Sequence, residues 1–163
     1  MTVKPAPQAG RGATKGGRHK GKIKPRPKGL GWIIGLLLFA AIATIFYWVV
    51  FYTSGEVQAR DDPVYLAFER AFPLADGWMV LCALLGGIGL WNRKPWGFLF
   101  GLLTGSSSIF LGLMDVLFNL NEGNYALGGT EMAIEIAINL LTLGLGPVII
   151  VYLWKNRAIL ACA

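Results

Sequence analysis

Residues 30–52 read LGWIIGLLLFAAIATIFYWVVFY, a run of 23 residues without a charged side chain. A helix needs about 20 apolar residues to cross the hydrocarbon core of a bilayer. Trp32 lies near one end of the run, and Trp48 and Tyr52 lie near the other, as aromatic side chains do at membrane interfaces. The run is longer than the roughly 7–15 apolar residues of a signal peptide. It therefore predicts an uncleaved membrane-spanning helix.

The rest of the chain contains further apolar runs. Three more apolar runs predict spanning helices at about residues 74–91, 96–118 and 131–154. Between the first two spans, Asp62 is placed to cap a short amphipathic helix over about 63–72, which we expect at the membrane interface, with Glu69 and Arg70 off its apolar face. The predicted fold class is all-α: an integral membrane four-helix bundle, covering residues 30–157.

The segment before the first span has a different composition. Residues 1–29 contain nine Lys or Arg side chains and no acidic one, with Gly and Pro interspersed. Such a segment repels itself and has little apolar surface to bury, so it predicts a disordered basic tail. Anionic lipid headgroups are the partner that we favour for it. The alternatives are an acidic partner protein and nucleic acid, the latter least favoured because the tail has no aromatic side chain to stack on bases.

The basic residues also predict an orientation. With four spans, the tail, the 92–95 turn and the carboxyl terminus share one side of the membrane. These three segments hold thirteen of the fifteen Lys and Arg residues, and only Arg60 and Arg70 fall on the other side. Loops rich in Lys and Arg stay in the cytoplasm. We therefore expect a protein integral to the cell membrane with both termini cytoplasmic.

The third span has a polar and small-residue face. At 100° per residue, one sector of about 60° contains Gly97, Thr104, Ser108, Asp115 and Asn119. Three glycines spaced four apart allow close helix approach and are the predicted packing positions: Gly97, Gly101 and Gly105. This face should point toward protein. The alternative to a ligand role is simple packing, with the hydroxyls bonded back to the helix backbone.

The acidic residues are the candidate functional groups. Glu135 shares a stripe of the fourth span with Asn139, and no Lys, Arg or His lies in any span to neutralise it. A buried carboxylate without such a partner becomes protonated, meets water or binds a cation. Asp76, Asp115 and Glu135 lie at similar depth on three helices, so converging faces would form an acidic, outward-facing pocket. The candidate ligand-binding set is Glu135, Asn139, Asp115 and Asp76, with Ser108 and Thr104 lining the floor.

Simpler roles remain open for some of these acids. Asp76 and Glu131 sit where an ordinary acid of a first helical turn would sit. Arg70 could fold over the pocket and pair with one acid, which would make the cluster structural.

No catalytic, cofactor or metal-ligand motif is found. We expect binding or passage of a small cationic or polar ligand, or of protons, at the carboxylate pocket. The alternative is a non-catalytic subunit of a larger membrane complex or a homo-oligomer. A third hypothesis is an intramembrane enzyme that uses Glu135 and Asp115 as acid and base.

Overall fold

The computed structural model describes residues 25–58 and 60–161, and within them the chain is helical with no strand. The helices are α1 (Leu30–Thr53), α2 (Pro63–Glu69), α3 (Pro73–Trp91), α4 (Pro95–Asn121), α5 (Thr130–Lys155) and α6 (Arg157–Leu160), with a 3-10 turn at Asn124–Ala126. The first 24 residues of the predicted tail lie outside the described residues.

Four stretches are long and apolar enough to cross a membrane: α1, the stretch Pro63–Trp91 that contains α2 and α3, α4 and α5. The all-α class and the four apolar helices predicted from the sequence are therefore confirmed. Among the four long helices the largest shift of a boundary is in α4, which continues to Asn121 beyond the predicted end at 118.

The long helices pack side by side in an antiparallel arrangement. The helix α1 packs on α3, α3 on α4, and α4 on α5. We call the end that contains the start of α1, the 92–95 turn and the end of α5 the turn end. The opposite end, with residues 54–62, α2 and residues 122–129, is the loop end.

Glycines allow α3, α4 and α5 to approach closely. A Cβ added at Gly105 would lie 2.9 Å from the carbonyl oxygen of Gly146, and one added at Gly101 would lie 2.6 Å from Cδ1 of Leu153. At Gly97 an added Cβ would overlap the backbone of Gly89. Gly97 and Gly105 of α4 therefore face the backbone of a neighbouring helix, and Gly101 faces the Leu153 side chain.

The main apolar core lies toward the turn end. It joins the first half of α1 to the last halves of α3 and α5, through side chains such as Leu37, Leu90 and Leu153. The residues just before α1 lie against this end: Arg26 Nη2 donates to the Trp91 carbonyl at 2.9 Å. The boundary of the predicted tail at residue 29 is therefore corrected to an earlier position, because the residues next to α1 contact the bundle.

The short helix α2 begins as the sequence predicts. The Asp62 carboxylate accepts from the backbone N–H groups of Val64 and Tyr65, and Pro63 occupies the first turn. These backbone N–H groups, first that of Tyr65, and the nearby Arg60 lower the pKa of Asp62. The cap confirms the prediction made from Asp62.

The packed face of α2 includes an acidic residue that is predicted from the sequence to lie off it. Tyr65 and Glu69 are buried, whereas Val64 is exposed. The ring of Phe68 stacks on Phe118 of α4 with centroids 3.7 Å apart. The placement of Glu69 off the packed face was wrong, because α2 packs against α4 and α5 through the face that carries this carboxyl.

Candidate functional site

A cavity of about 400 Å³ lies toward the loop end, between α1 and the other long helices. Its acidic lining residues are Glu69, Asp76, Asp115 and Glu135. Among the described residues that line it there is no Lys, Arg or His. The remaining walls are mostly apolar and aromatic, so the carboxyl groups stand at one side of a largely apolar space.

Three of the acids form a close group, which we call the carboxylate trio: Glu69 of α2, Asp115 of α4 and Glu135 of α5. One oxygen from each lies within 4.8 Å of the others, a spacing that could hold a metal ion. Glu69 and Glu135 are 6% and 5% exposed. Three carboxylates this close repel one another when ionised, so the arrangement favours a proton or a cation between them.

Glu135 is held in place at both oxygens. Asn119 Nδ2 donates to Oε1 at 2.7 Å, and the Tyr65 hydroxyl donates to Oε2 at 3.1 Å. Asn119 and Tyr65 are themselves fully buried. The Glu135 carboxyl therefore cannot turn away from the trio without breaking two buried hydrogen bonds.

A chain of hydrogen bonds connects this carboxyl to a cation outside the cavity. Arg60 Nη1 donates to Asn124 Oδ1 at 2.7 Å, and Asn124 Nδ2 donates to Asn119 Oδ1 at 2.8 Å. Arginine can only donate, so it fixes the orientation of the first amide, and that amide fixes the second. Asn119 must consequently present its Nδ2 group to Glu135.

Two aromatic side chains of α1 bind the other acids and close the wall on that side. The Tyr47 hydroxyl donates to Glu69 Oε2 at 3.2 Å, and Trp48 Nε1 donates to Asp76 Oδ2 at 2.8 Å. Asp76 also lies in the first turn of α3, the position expected for an ordinary helix-start acid. Asp76 can line the cavity and also act as a helix-start acid, since only one of its carboxyl oxygens accepts from Trp48.

Asn139, another lining residue, has a side-chain oxygen without a hydrogen-bond donor. Its side chain is 4% exposed and lines the cavity. Its Nδ2 group donates to the Tyr125 hydroxyl at 3.1 Å, while Oδ1 has no hydrogen-bond donor among residues 25–58 and 60–161. A buried acceptor left unsatisfied costs about 1–3 kcal/mol. The oxygen is thus an unsatisfied acceptor next to the cavity, covered by the surrounding atoms.

The Tyr125 hydroxyl, which accepts from Asn139, is neutral. Tyr125 lies in the 3-10 turn between α4 and α5. Burial and the nearby carboxyls raise its pKa, so the phenol stays protonated at neutral pH.

The two hydroxyl residues predicted for the floor have separate positions. Ser108 lines the cavity, and its hydroxyl donates to the Thr142 carbonyl across the α4–α5 contact at 2.8 Å. Thr104 is buried but is not part of the lining, and its hydroxyl donates to the Phe100 carbonyl one turn earlier. The inclusion of Thr104 in the pocket was wrong, because its hydroxyl satisfies the α4 backbone and not the cavity.

The structure brings five of the six candidate residues to one cavity: Glu135, Asn139, Asp115, Asp76 and Ser108. Their role in ligand binding stays a prediction. Sequence reasoning missed Glu69, and with it the metal-compatible trio. It also considered Arg70 as the pairing cation, whereas Arg70 is exposed and the salt bridge found within the described ranges joins Arg60 to Asp62.

A signal for the missed residue was present in the sequence. Tyr65 and Glu69 are four residues apart, so they lie on one face of a helix. A helix with one hydroxyl and one carboxyl on the same face as its apolar residues is suited to a polar cavity.

Comparisons with known proteins give no relative for this arrangement. The chain matches no protein-family model, and neither the curated proteins nor the solved structures contain a match.

Proposed function

We propose that this protein is an integral protein of the cell membrane that spans the bilayer four times, with both termini in the cytoplasm. Four long apolar helices support the membrane assignment. The distribution of basic residues supports the orientation, since thirteen of fifteen lie before α1, in the 92–95 turn or after the fourth predicted span. On this assignment the carboxylate trio lies toward the outer face.

Reporter fusions test this topology. A reporter fused after Ala163 is expected to be cytoplasmic, and one inserted at Gly123 is expected to be outside, because an odd number of spans separates the two sites. Alkaline phosphatase and green fluorescent protein fusions report the two compartments with opposite signals. The same compartment for both positions would contradict the four-span topology.

We propose further that the bundle binds, or passes, a small cationic or polar ligand, with protons as the simplest case, at the acidic cavity. The observation that carries this proposal is the carboxylate trio of Glu69, Asp115 and Glu135, with oxygens within 4.8 Å of one another. The described lining residues include no basic side chain to neutralise it. A positive ligand would supply the missing charge.

The supporting contacts fit the same function. Glu135 is held by Asn119 and Tyr65, so a cation would find a carboxyl already oriented. The Asn139 side chain lines the same cavity. Carboxylate and amide oxygens are the ligands that hard cations take, and they also accept N–H groups of organic cations.

Carboxyl labelling tests the proposal on the intact chain in lipid nanodiscs. A hydrophobic carbodiimide adds to protonated carboxyl groups in apolar surroundings, and mass spectrometry locates the adduct. We expect labelling at the trio, and we expect at least one of Na⁺, Ca²⁺, Mn²⁺ and methylammonium to reduce it at constant pH and ionic strength. The exposed Glu131 is the internal control. Labelling of Glu135 that none of these cations changes would contradict cation binding.

A further inference from the structure

We propose that the ligand of the acidic cavity is an amphipathic organic amine, held by its ammonium group at the carboxylate trio, with its apolar part between α1 and α5. This inference rests on the proposed cation-binding function and names the chemical class of the ligand. The alternative cation, a bare metal ion, is separated from it by the experiment below.

The size of the cavity favours an organic molecule. Its volume is about 400 Å³. A water molecule takes about 30 Å³ of liquid volume, so an ion with a few waters would fill only a part of this space. Sites for small organic molecules begin at about 300 Å³.

The spacing of the trio fits an ammonium group. For three oxygens within 4.8 Å of one another, some point lies within about 2.8 Å of all three. That distance is typical of a charge-assisted N–H···O bond, about 2.7–2.9 Å. A primary ammonium has three N–H donors, one for each carboxyl.

The walls of the cavity suit the apolar part of such a ligand. The α1 side contributes the rings of Phe39, Phe46, Tyr47 and Trp48, and Phe72 stands before α3. Aromatic faces bind apolar groups and also attract a cation within about 6 Å of the ring centre. The cavity thus has a charged side and an aromatic side, as an amphipathic cation requires.

The cavity opens between α1 and α5. The lining side chains Phe39, Phe46 and Leu141 are 50%, 66% and 50% exposed. Near the turn end the two helices are joined, where the Tyr152 hydroxyl donates to the Lys28 carbonyl at 2.9 Å. The gap therefore lies toward the loop end, on an apolar flank that would face lipid in the proposed topology. An amphiphile in the bilayer could place its ammonium inward and its apolar part in this gap.

The test compares 2-phenylethylamine, protonated at pH 7, with 2-phenylethanol, which is neutral and of similar shape. Thermal unfolding of the full chain in nanodiscs is measured with each compound, and with Ca²⁺ or Mn²⁺ alone. We expect a saturable rise in Tm with the amine and a much smaller one with the alcohol. Glu135→Gln should weaken the apparent affinity for the amine at least tenfold, and Phe46→Ala several-fold.

Matched controls keep the result specific. Glu131→Gln changes an exposed acid of the same helix, and Ile42→Ala changes an exposed apolar residue of α1 outside the lining. Both should leave the amine response unchanged. If Glu135→Gln does not fold, Asp115→Asn replaces it.

The outcomes separate the two proposals. Equal responses to amine and alcohol, or loss of the response in the controls, would overturn the amine assignment. A Glu135-dependent response to Ca²⁺ or Mn²⁺ without one to the amine would also overturn it but leave the cation site standing. Absence of any Glu135-dependent response to these cations would overturn both.

Discussion

Replacement of Glu135 by glutamine is expected to remove most of the cation response of this protein while leaving the bundle folded. Glu135 is buried and belongs to the carboxylate trio. Removing one partner of a buried charge contact typically costs about 2–5 kcal/mol of binding free energy. We therefore expect apparent cation affinity to fall by at least an order of magnitude.

The fold should survive because glutamine can keep both hydrogen bonds of Glu135. Its amide oxygen can accept from Asn119 Nδ2, as Glu135 Oε1 does. Its amide nitrogen can donate to the Tyr65 hydroxyl, which can rotate to become the acceptor. The substitution thus removes a charge and leaves the local contacts.

The measurement is thermal stability between pH 4 and pH 9 for both proteins, with and without cations. Rising pH ionises the trio and places like charges together. The wild type should therefore lose more stability as pH rises than Glu135→Gln does, and an added cation should reduce this loss only in the wild type. Glu131→Gln should follow the wild type. Coincident curves for wild type and Glu135→Gln, with no shift by any cation, would remove Glu135 from the site.

The second large effect is expected from Gly97→Ala, at the contact between α3 and α4. An added Cβ would overlap backbone atoms of Gly89 and Leu90. Backbone cannot move aside as a flexible side chain can, so the two helices must separate. Overpacking of a close contact typically costs about 1–3 kcal/mol, and we expect the upper part of that range.

Gly144→Ala is the matched control for this substitution. Gly144 is also a helical glycine, in α5, and an added Cβ would meet nothing within 4 Å. Alanine is the better helix former by about 0.5–1 kcal/mol, so this variant should be neutral or slightly more stable. Thermal or chemical unfolding in the same detergent measures both. Equal effects of the two substitutions would show that the close contact at Gly97 does not stabilise the bundle.

Two acids of the cavity accept hydrogen bonds from α1, which bears on the effect of the proposed ligand. Tyr47 connects Glu69 to α1, and Trp48 connects Asp76 to the same helix. A ligand that competes for these carboxyl oxygens would weaken the attachment of α1 at the loop end. Such competition would couple occupancy to the position of α1 relative to α3.

The amino-acid sequence by itself determined the class of this fold. Apolar runs long enough for spanning helices are a local property, and they predicted four helices close to their observed positions. Helical spacing likewise predicted that one face of α4 packs against protein, and Gly97, Thr104, Ser108 and Asn119 are indeed buried. The N-terminal cap at Asp62 is local as well.

Only the tertiary structure decided the composition of the site. Glu69 and Tyr65 reach Glu135 because the chain bends before Pro73 and packs α2 against α4, and spacing within α2 alone does not specify that contact. The hydrogen bond from Arg60 to Asn124 joins residues that are 64 positions apart in the sequence. Thr104 shares its helix face with Ser108, yet its hydroxyl bonds its own backbone and it does not line the cavity. Periodicity states which face a residue occupies, whereas the packing of neighbouring helices determines where on that face a cavity remains.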